Sequence, residues 1–229
     1  MKIQASLFIR IGRFIRFQLI RLIAERGRVI TNYNDYRFPI IKMIGDIKNE
    51  NRMLLQYSEA YMIYMLVKST TKIRGDLAEV GTYTGGSSKL ICEAKGNKKL
   101  YLFDTFEGIP ETTKIDISFK KGEYPASYED VKNYLGKYKN VFLIKGIFPK
   151  SATKIMNKKF SFVHLDVDIY KSTKESLEFF YSRMNKGGVI ISHDYTSSTG
   201  VKKAFDDYFK NKKEILLQVS DSQCFIIKG

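Results

Sequence analysis

The chain has 229 residues, a formal net charge of +15, 44% hydrophobic and 28% charged residues. That size and balance exclude a disordered chain and two full domains, and leave one large domain with an appendage. Two cysteines, Cys92 and Cys224, supply neither a disulfide framework nor a metal-ligand spacing, which places the chain in a reducing compartment, while the positive charge favours polyanions or anionic membranes as partners.

Residues 5–24, A-S-L-F-I-R-I-G-R-F-I-R-F-Q-L-I-R-L-I-A, have helical spacing, with Arg10, Arg13, Arg16 and Arg21 on one side and Phe8, Ile11, Ile15, Leu19 and Leu22 opposite. Arginine recurs too often for a transmembrane span, and a secretory signal would need an uninterrupted apolar centre. A basic amphipathic helix suits the membrane interface; it suits equally a docking face on its own domain or on a second subunit. Residues 25–39 read as a linker, and 40–68 as a helix on which Met53, Leu54, Tyr57, Tyr61 and Met65 recur at three and four, a packing stripe that partly roofs the site.

Residues 76–80 open a sheet. The following G-T-Y-T-G-G-S-S is a glycine turn into a helix begun by Ser87 and Ser88, with glycines that let backbone approach a ligand. The next strand, 100–104, ends in Asp104, where an acid binds a ribose diol. Together with Glu79 before the turn, this pattern favours an adenosyl-type ligand. The polar stretch 111–128 is too long for an ordinary turn and reads as a mobile lid, or as a plain surface insertion, leading into a helix at 127–135. Residues 141–145 form a third strand.

Residues 160–165 and 189–192 are apolar strands joined by a helix at 172–184, a βαβ unit that delivers Asp166, Asp168 and Asp194 to one sheet edge. Like charges there call for a divalent cation, with Asp166 and Asp194 as oxygen ligands and His193 as a nitrogen ligand; the alternative is a set of solvated loop-end acids. A helix at 200–209 and strands at 215–219 and 224–228, hairpinned about Asp221, complete seven strands.

Four motifs in this order, E-V-G-T-Y-T-G-G-S-S, F-D-T-F-E-G-I-P-E, I-K-G-I-F-P-K-S and H-L-D-V-D-I-Y-K-S-T, resemble the macrocin O-methyltransferase (TylF-like) family over roughly residues 74–209. The resemblance implies a Rossmann-like class I methyltransferase fold, a seven-stranded, mostly parallel sheet with helices on both faces, over residues 41–229, with a basic helical extension at 1–40. It implies S-adenosylmethionine and Mg²⁺ as cofactors and a sugar hydroxyl as acceptor. Glu79, Gly81 and Asp104 would bind the cofactor, with Thr82, Tyr83 and Ser87 near it; Asp166 and Asp194 would be metal ligands and Asp168 the base. Where the family has an Asp-Asp pair after strand five this chain has His193-Asp194; the histidine either replaces a carboxylate as ligand or points into the core, and either way the metal site carries less negative charge.

The acceptor expected is a sugar-containing small molecule or a lipid-linked glycan. The enzyme is expected to be cytoplasmic and a homo-oligomer, with residues 5–24 as a peripheral contact to the inner face of the membrane. Nucleic-acid methylation is the rival enzyme reading from the +15 charge; D-V-D-I-Y after strand four and scattered lysines stand against it. A non-catalytic membrane-associated protein on the same fold is the remaining alternative.

Overall fold

Seven strands, β1 (Asp76–Val80), β2 (Leu100–Asp104), β3 (Val141–Lys145), β4 (Phe160–Leu165), β5 (Met184–Ser192), β6 (Leu217–Gln218) and β7 (Cys224–Ile227), join in one sheet of order β3-β2-β1-β4-β5-β7-β6. Pairs from β3 to β5 are parallel, and β7 runs antiparallel between β5 and β6. This computed structural model describes residues 36–219 and 221–229, of which 43–229 form one compact unit. The basic segment 5–24 and the expected linker up to residue 35 lie outside the described residues.

The helices are α1 (Phe38–Asn49), α2 (Tyr57–Thr70), α3 (Gly86–Ala94), α4 (Tyr128–Leu135), α5 (Tyr170–Tyr181) and α6 (Thr199–Phe209). Every residue of β4 is buried, as a parallel strand covered on both faces must be. Val163, Leu165 and Ile190 share a core cluster with Leu177 and Phe180 of α5 and Val201 and Phe205 of α6. Strand alternation turns Phe162, His164 and Ile191 to the other face, where α2 lies against β4 and β5 and packs on α3. The sheet is therefore the doubly covered, Rossmann-like one that the sequence implies. Among the described residues no helix is long and apolar enough to cross a membrane.

Three elements differ from the sequence reading. The helix expected over 40–68 is two helices, because Asn51 takes a left-handed φ of 57° and Gln56 starts α2 with a capping box closed by Glu59. Met184 belongs to β5 rather than to the preceding helix, and Gly187, at φ 79°, lies within that strand, where its register against β4 slips. The strand expected over 215–219 is reduced to Leu217–Gln218, paired with β7.

Candidate functional site

The chain leaves β1 for β2 and β3 and then returns to β4 on the other side of β1, so the connections that leave the carboxyl ends of β1 and β4 diverge and open a crevice above the paired strands. A cavity of about 300 Å³ occupies that place. Of the expected site residues, Gly81, Thr82, Tyr83, Ser87, Asp104, Asp166, Asp168, His193 and Asp194 all line it.

The cofactor side is built by the turn after β1. Gly81 takes φ 92°, and a Cβ there would lie 1.7 Å from the carbonyl oxygen of Asp166, so only glycine lets the two strand ends meet. The Asp104 carboxylate accepts the N–H of Tyr83 at 2.7 Å and that of Phe106 at 2.7 Å, which ties the turn to the end of β2. Burial pushes the Asp104 carboxyl up, and the N–H groups of Phe106, Tyr83 and Thr82 only partly offset this. Thr82 is buried, its hydroxyl 3.5 Å from the Phe103 carbonyl, and Ser87 stands in the first turn of α3. Apolar Val80, Phe103, Ile109 and Leu55 supply walls that suit a flat heterocycle.

Glu79 is the expected cofactor residue that the structure does not bring to the cavity. It is fully buried on the α2–α3 face, accepting the hydroxyl of Ser88 and lying 2.9 Å from His164 Nδ1. Strand alternation is the reason: the side chain before Val80 points to the opposite face. There it braces β1 against β4 and against the start of α3.

Opposite the glycine turn, Asp166, His193 and Asp194 offer ligand atoms that all lie within 4.8 Å of one another. His193 Nδ1 is 3.2 Å from Asp166 Oδ1 and 3.0 Å from Asp194 Oδ2. Two ligands at right angles on an ion with bonds of about 2.1 Å stand about 3 Å apart, so this donor set fits a divalent cation. Burial alone would lower the His193 imidazole; the charge of Asp166 and hydrogen bonds to Asp166, Asp194 and Glu59 outweigh it and raise it well above its ordinary value. Burial also pushes Asp194 up, but His193 and Ser197 bring it below the usual carboxylate range. Asp168 is held well above that range, first by burial and then by the charges of Asp166 and Asp194. Asp168 and Asp194 take left-handed φ values of 62° and 60°, strained positions that aim both side chains into the crevice.

Two further segments close the cavity. The break between α1 and α2 contributes Arg52, Met53, Leu54 and Leu55, so the expected roof is present but as a loop. Arg52 is clamped: its guanidinium donates to Asp130 at 2.7 and 3.0 Å and to the Thr84 carbonyl at 3.0 Å, and lies 4.2 Å from the Tyr134 ring centroid. The expected lid brings Phe119, Glu123 and Tyr124 to the cavity, with Tyr124 edge-on to Tyr83 at 5.9 Å. This loop is tied down. Backbone bonds join Ile109 to Gly122 and Glu123 at 2.8 Å each, and buried Asp116 accepts the N–H of Tyr170 at 2.8 Å at the start of α5.

Sequence reading also missed Glu59 of α2. Its carboxylate is 2% exposed and stands 3.2 Å from His193 Nε2. Although burial pushes it up, the His193 contact above all holds it down at about 2.

The chain is similar to several known proteins. A 4'-O-methyltransferase of Streptomyces olivaceus, named for 8-demethyl-8-(2,3-dimethoxy-alpha-L-rhamnosyl)-tetracenomycin-C, is 27% identical over 153 residues, 59% of this chain and 58% of its own. The demethyldecarbamoylnovobiocin O-methyltransferase of Streptomyces niveus is 24% identical over the same shares. The chain thus spans less than two thirds of the length of the curated relatives it matches. In fold, the O-methyltransferase NovP superposes with a TM-score of 0.66 at 20% identity, over 77% of this chain and 82% of that one. The family model of macrocin-O-methyltransferase (TylF) matches residues 56–225, from the start of α2 into β7, and takes in every cavity-lining residue except Arg52, Met53, Leu54 and Leu55. The chain belongs to the macrocin-O-methyltransferase family.

Proposed function

We propose that the chain is an S-adenosylmethionine-dependent O-methyltransferase that methylates a sugar hydroxyl of a glycan, glycolipid or glycosylated metabolite. The observation that carries the reading is the meeting, in one cavity, of a glycine turn braced on Asp104 with an acidic cluster that includes half-buried Asp168. The rhamnosyl substrate in the name of one relative supports a sugar acceptor. The catalytic domain is assigned to 41–229 and the basic extension to 1–40, with peripheral membrane contact and self-association as its proposed uses.

S-adenosylmethionine would supply a methyl group on a sulfonium, an electrophile needing an aligned oxygen nucleophile. Asp104 has a lone pair left for a ribose diol after accepting its backbone N–H groups, and the apolar walls would enclose the adenine and exclude water. Asp168 lies at the same edge and, in its ionised form, would take the proton of the attacking hydroxyl as general base. A divalent cation held by Asp166, Asp194 and His193 would gather neighbouring acceptor oxygens and acidify one hydroxyl. The mouth carries exposed apolar groups, Leu54 at 65%, Ile147 at 50% and Tyr124 at 45% exposure, which suits an acceptor with an apolar portion beyond its sugar.

Calorimetric titration with S-adenosylhomocysteine tests the cofactor half, and mass spectrometry of a glycoside panel incubated with S-adenosylmethionine tests the acceptor half. Binding and a one-methyl mass gain on a sugar are expected. A folded protein that does not bind S-adenosylhomocysteine would end the enzyme reading.

A further inference from the structure

His193 is more than a substitute ligand, because its second nitrogen is already engaged. Glu59 Oε2 accepts the N–H of Gln56 at 2.8 Å and faces His193 Nε2 at 3.2 Å, while Glu59 Oε1 accepts the N–H of Ser222 at 3.1 Å and its hydroxyl at 2.7 Å. Donors from the start of α2 and from the β6–β7 turn thus fix the carboxylate, which cannot rotate away. A buried carboxylate in that position commits Nε2 to donating a hydrogen bond. The other nitrogen, Nδ1, then points between Asp166 and Asp194, 3.2 and 3.0 Å from their oxygens.

Carboxylate–histidine–metal arrays have this form: an outer carboxylate sets the tautomer, orients the ring and raises the basicity of the ligating nitrogen. An all-oxygen set suits Mg²⁺, whereas an imidazole shifts preference toward borderline ions such as Fe²⁺, Co²⁺ and Ni²⁺. Resting on the methyltransferase reading above, we propose that Glu59 is a positioning residue that holds His193 with Nδ1 as third donor beside Asp166 and Asp194, so that the centre prefers a borderline divalent ion to Mg²⁺.

The test uses the full chain with Co²⁺ and Mg²⁺ titrated separately by calorimetry, and Mn²⁺ as a paramagnetic probe. Wild type is expected to bind Co²⁺ and to show nitrogen coupling in the pulsed electron paramagnetic resonance spectrum of bound Mn²⁺. Glu59→Gln is expected to weaken Co²⁺ binding about 10-fold or more, with the Co²⁺-to-Mg²⁺ affinity ratio falling as well; a residue that only stabilised the fold would leave that ratio alone. Should Glu59→Gln fail to fold, His193→Asp carries the test: it leaves Glu59 in place, and the ratio should fall about 10-fold with loss of the nitrogen coupling. Bound Mn²⁺ without nitrogen coupling, or an unchanged ratio in a folded variant, overturns the proposal. So does wild type that takes up none of the three ions. In that last case S-adenosylhomocysteine binding, measured in the same preparation without metal, shows whether the methyltransferase reading has failed too.

Discussion

Gly81→Ala probes the junction on which both halves of the site depend. The added Cβ would stand 1.7 Å from the Asp166 carbonyl oxygen and 2.6 Å from its carbon. Relief to an ordinary contact requires the ends of β1 and β4 to part by roughly 1.5 Å. Two backbone bonds fix the end of β1, Gly81 N–H to Phe103 of β2 and the N–H of Asp166, after β4, to Val80, each 2.9 Å, and a shift of that size disrupts both. At about 1 kcal/mol for each bond, and about 1–2 kcal/mol for an alanine in the left-handed region, the loss is roughly 3–4 kcal/mol. Gly122→Ala is the control, since Gly122 has φ 85° with nothing within 4 Å of its Cβ position, so it carries the backbone penalty alone. Urea unfolding followed by circular dichroism should separate the two variants by about 2 kcal/mol. Calorimetry should show S-adenosylhomocysteine binding weakened at least about 10-fold in Gly81→Ala only. Equal stability of the two variants, or undiminished binding by Gly81→Ala, would refute the reasoning.

Asp168→Asn should reduce turnover by about 10²–10⁴-fold, the usual worth of a general base, while S-adenosylhomocysteine affinity stays within about twofold; full turnover would remove Asp168 from that role. Asp116→Ala strands the N–H of Tyr170 and frees the crest of the 111–127 loop, so hydrogen exchange should rise across 109–124, with a stability loss of about 1–3 kcal/mol. Exchange confined to the start of α5 would show that Asp116 caps the helix without latching the loop. Arg52→Lys keeps the charge but loses the two-pronged bond to Asp130 and the flat contact on Tyr134, and cofactor affinity should drop several-fold; unchanged calorimetry would exclude Arg52 as a brace. Burial pushes Glu214 up, yet Lys228 and Tyr181 bring it down to about 2, below its usual 4.5, so its stabilisation is complete above pH 4.5 and fades as pH falls toward 2. The unfolding midpoints of wild type and Glu214→Gln should therefore differ at pH 7 and converge only as the pH falls through about 2; a constant gap would contradict the assignment.

What could be read from the sequence is what lies within one strand, turn or helix. β1, β2 and β4 were legible because a parallel strand covered on both faces is an apolar run, and β3, an edge strand, because it keeps the run V-F-L-I; each ends at a turn or an acid. Asp104 and Asp166 follow directly from those ends, and Asp194 from the apolar end of β5. Glu79 misled because closeness to a strand end was given more weight than alternation, which places the residue before Val80 on the far face. Met53 and Leu54 misled because helical spacing in a short window does not separate a helix from a loop that buries the same residues. Nothing in the sequence marks the break plainly: Glu59 closes the box on Gln56, but glutamine is not among the residues that usually begin a helix.

The remainder was illegible because it is long-range. Both histidines of the chain are paired with buried glutamates, His164 with Glu79 across 85 residues and His193 with Glu59 across 134. No periodicity or motif spacing carries such a pairing; it exists only once the sheet order has brought α2 over the ends of β4 and β5. The two halves of the site therefore respond to substitution in different ways. The cofactor half is local, made by one turn and the end of one neighbouring strand. The acidic half draws on α2, the β4 and β5 ends and the turn at Ser222, whose hydroxyl also lies 3.3 Å from the Asp194 N–H. A change in that C-terminal turn, which lines no part of the cavity, thus reaches His193 through Glu59 and Asp194 through its own backbone, so the acidic half is sensitive to segments that leave the cofactor half untouched.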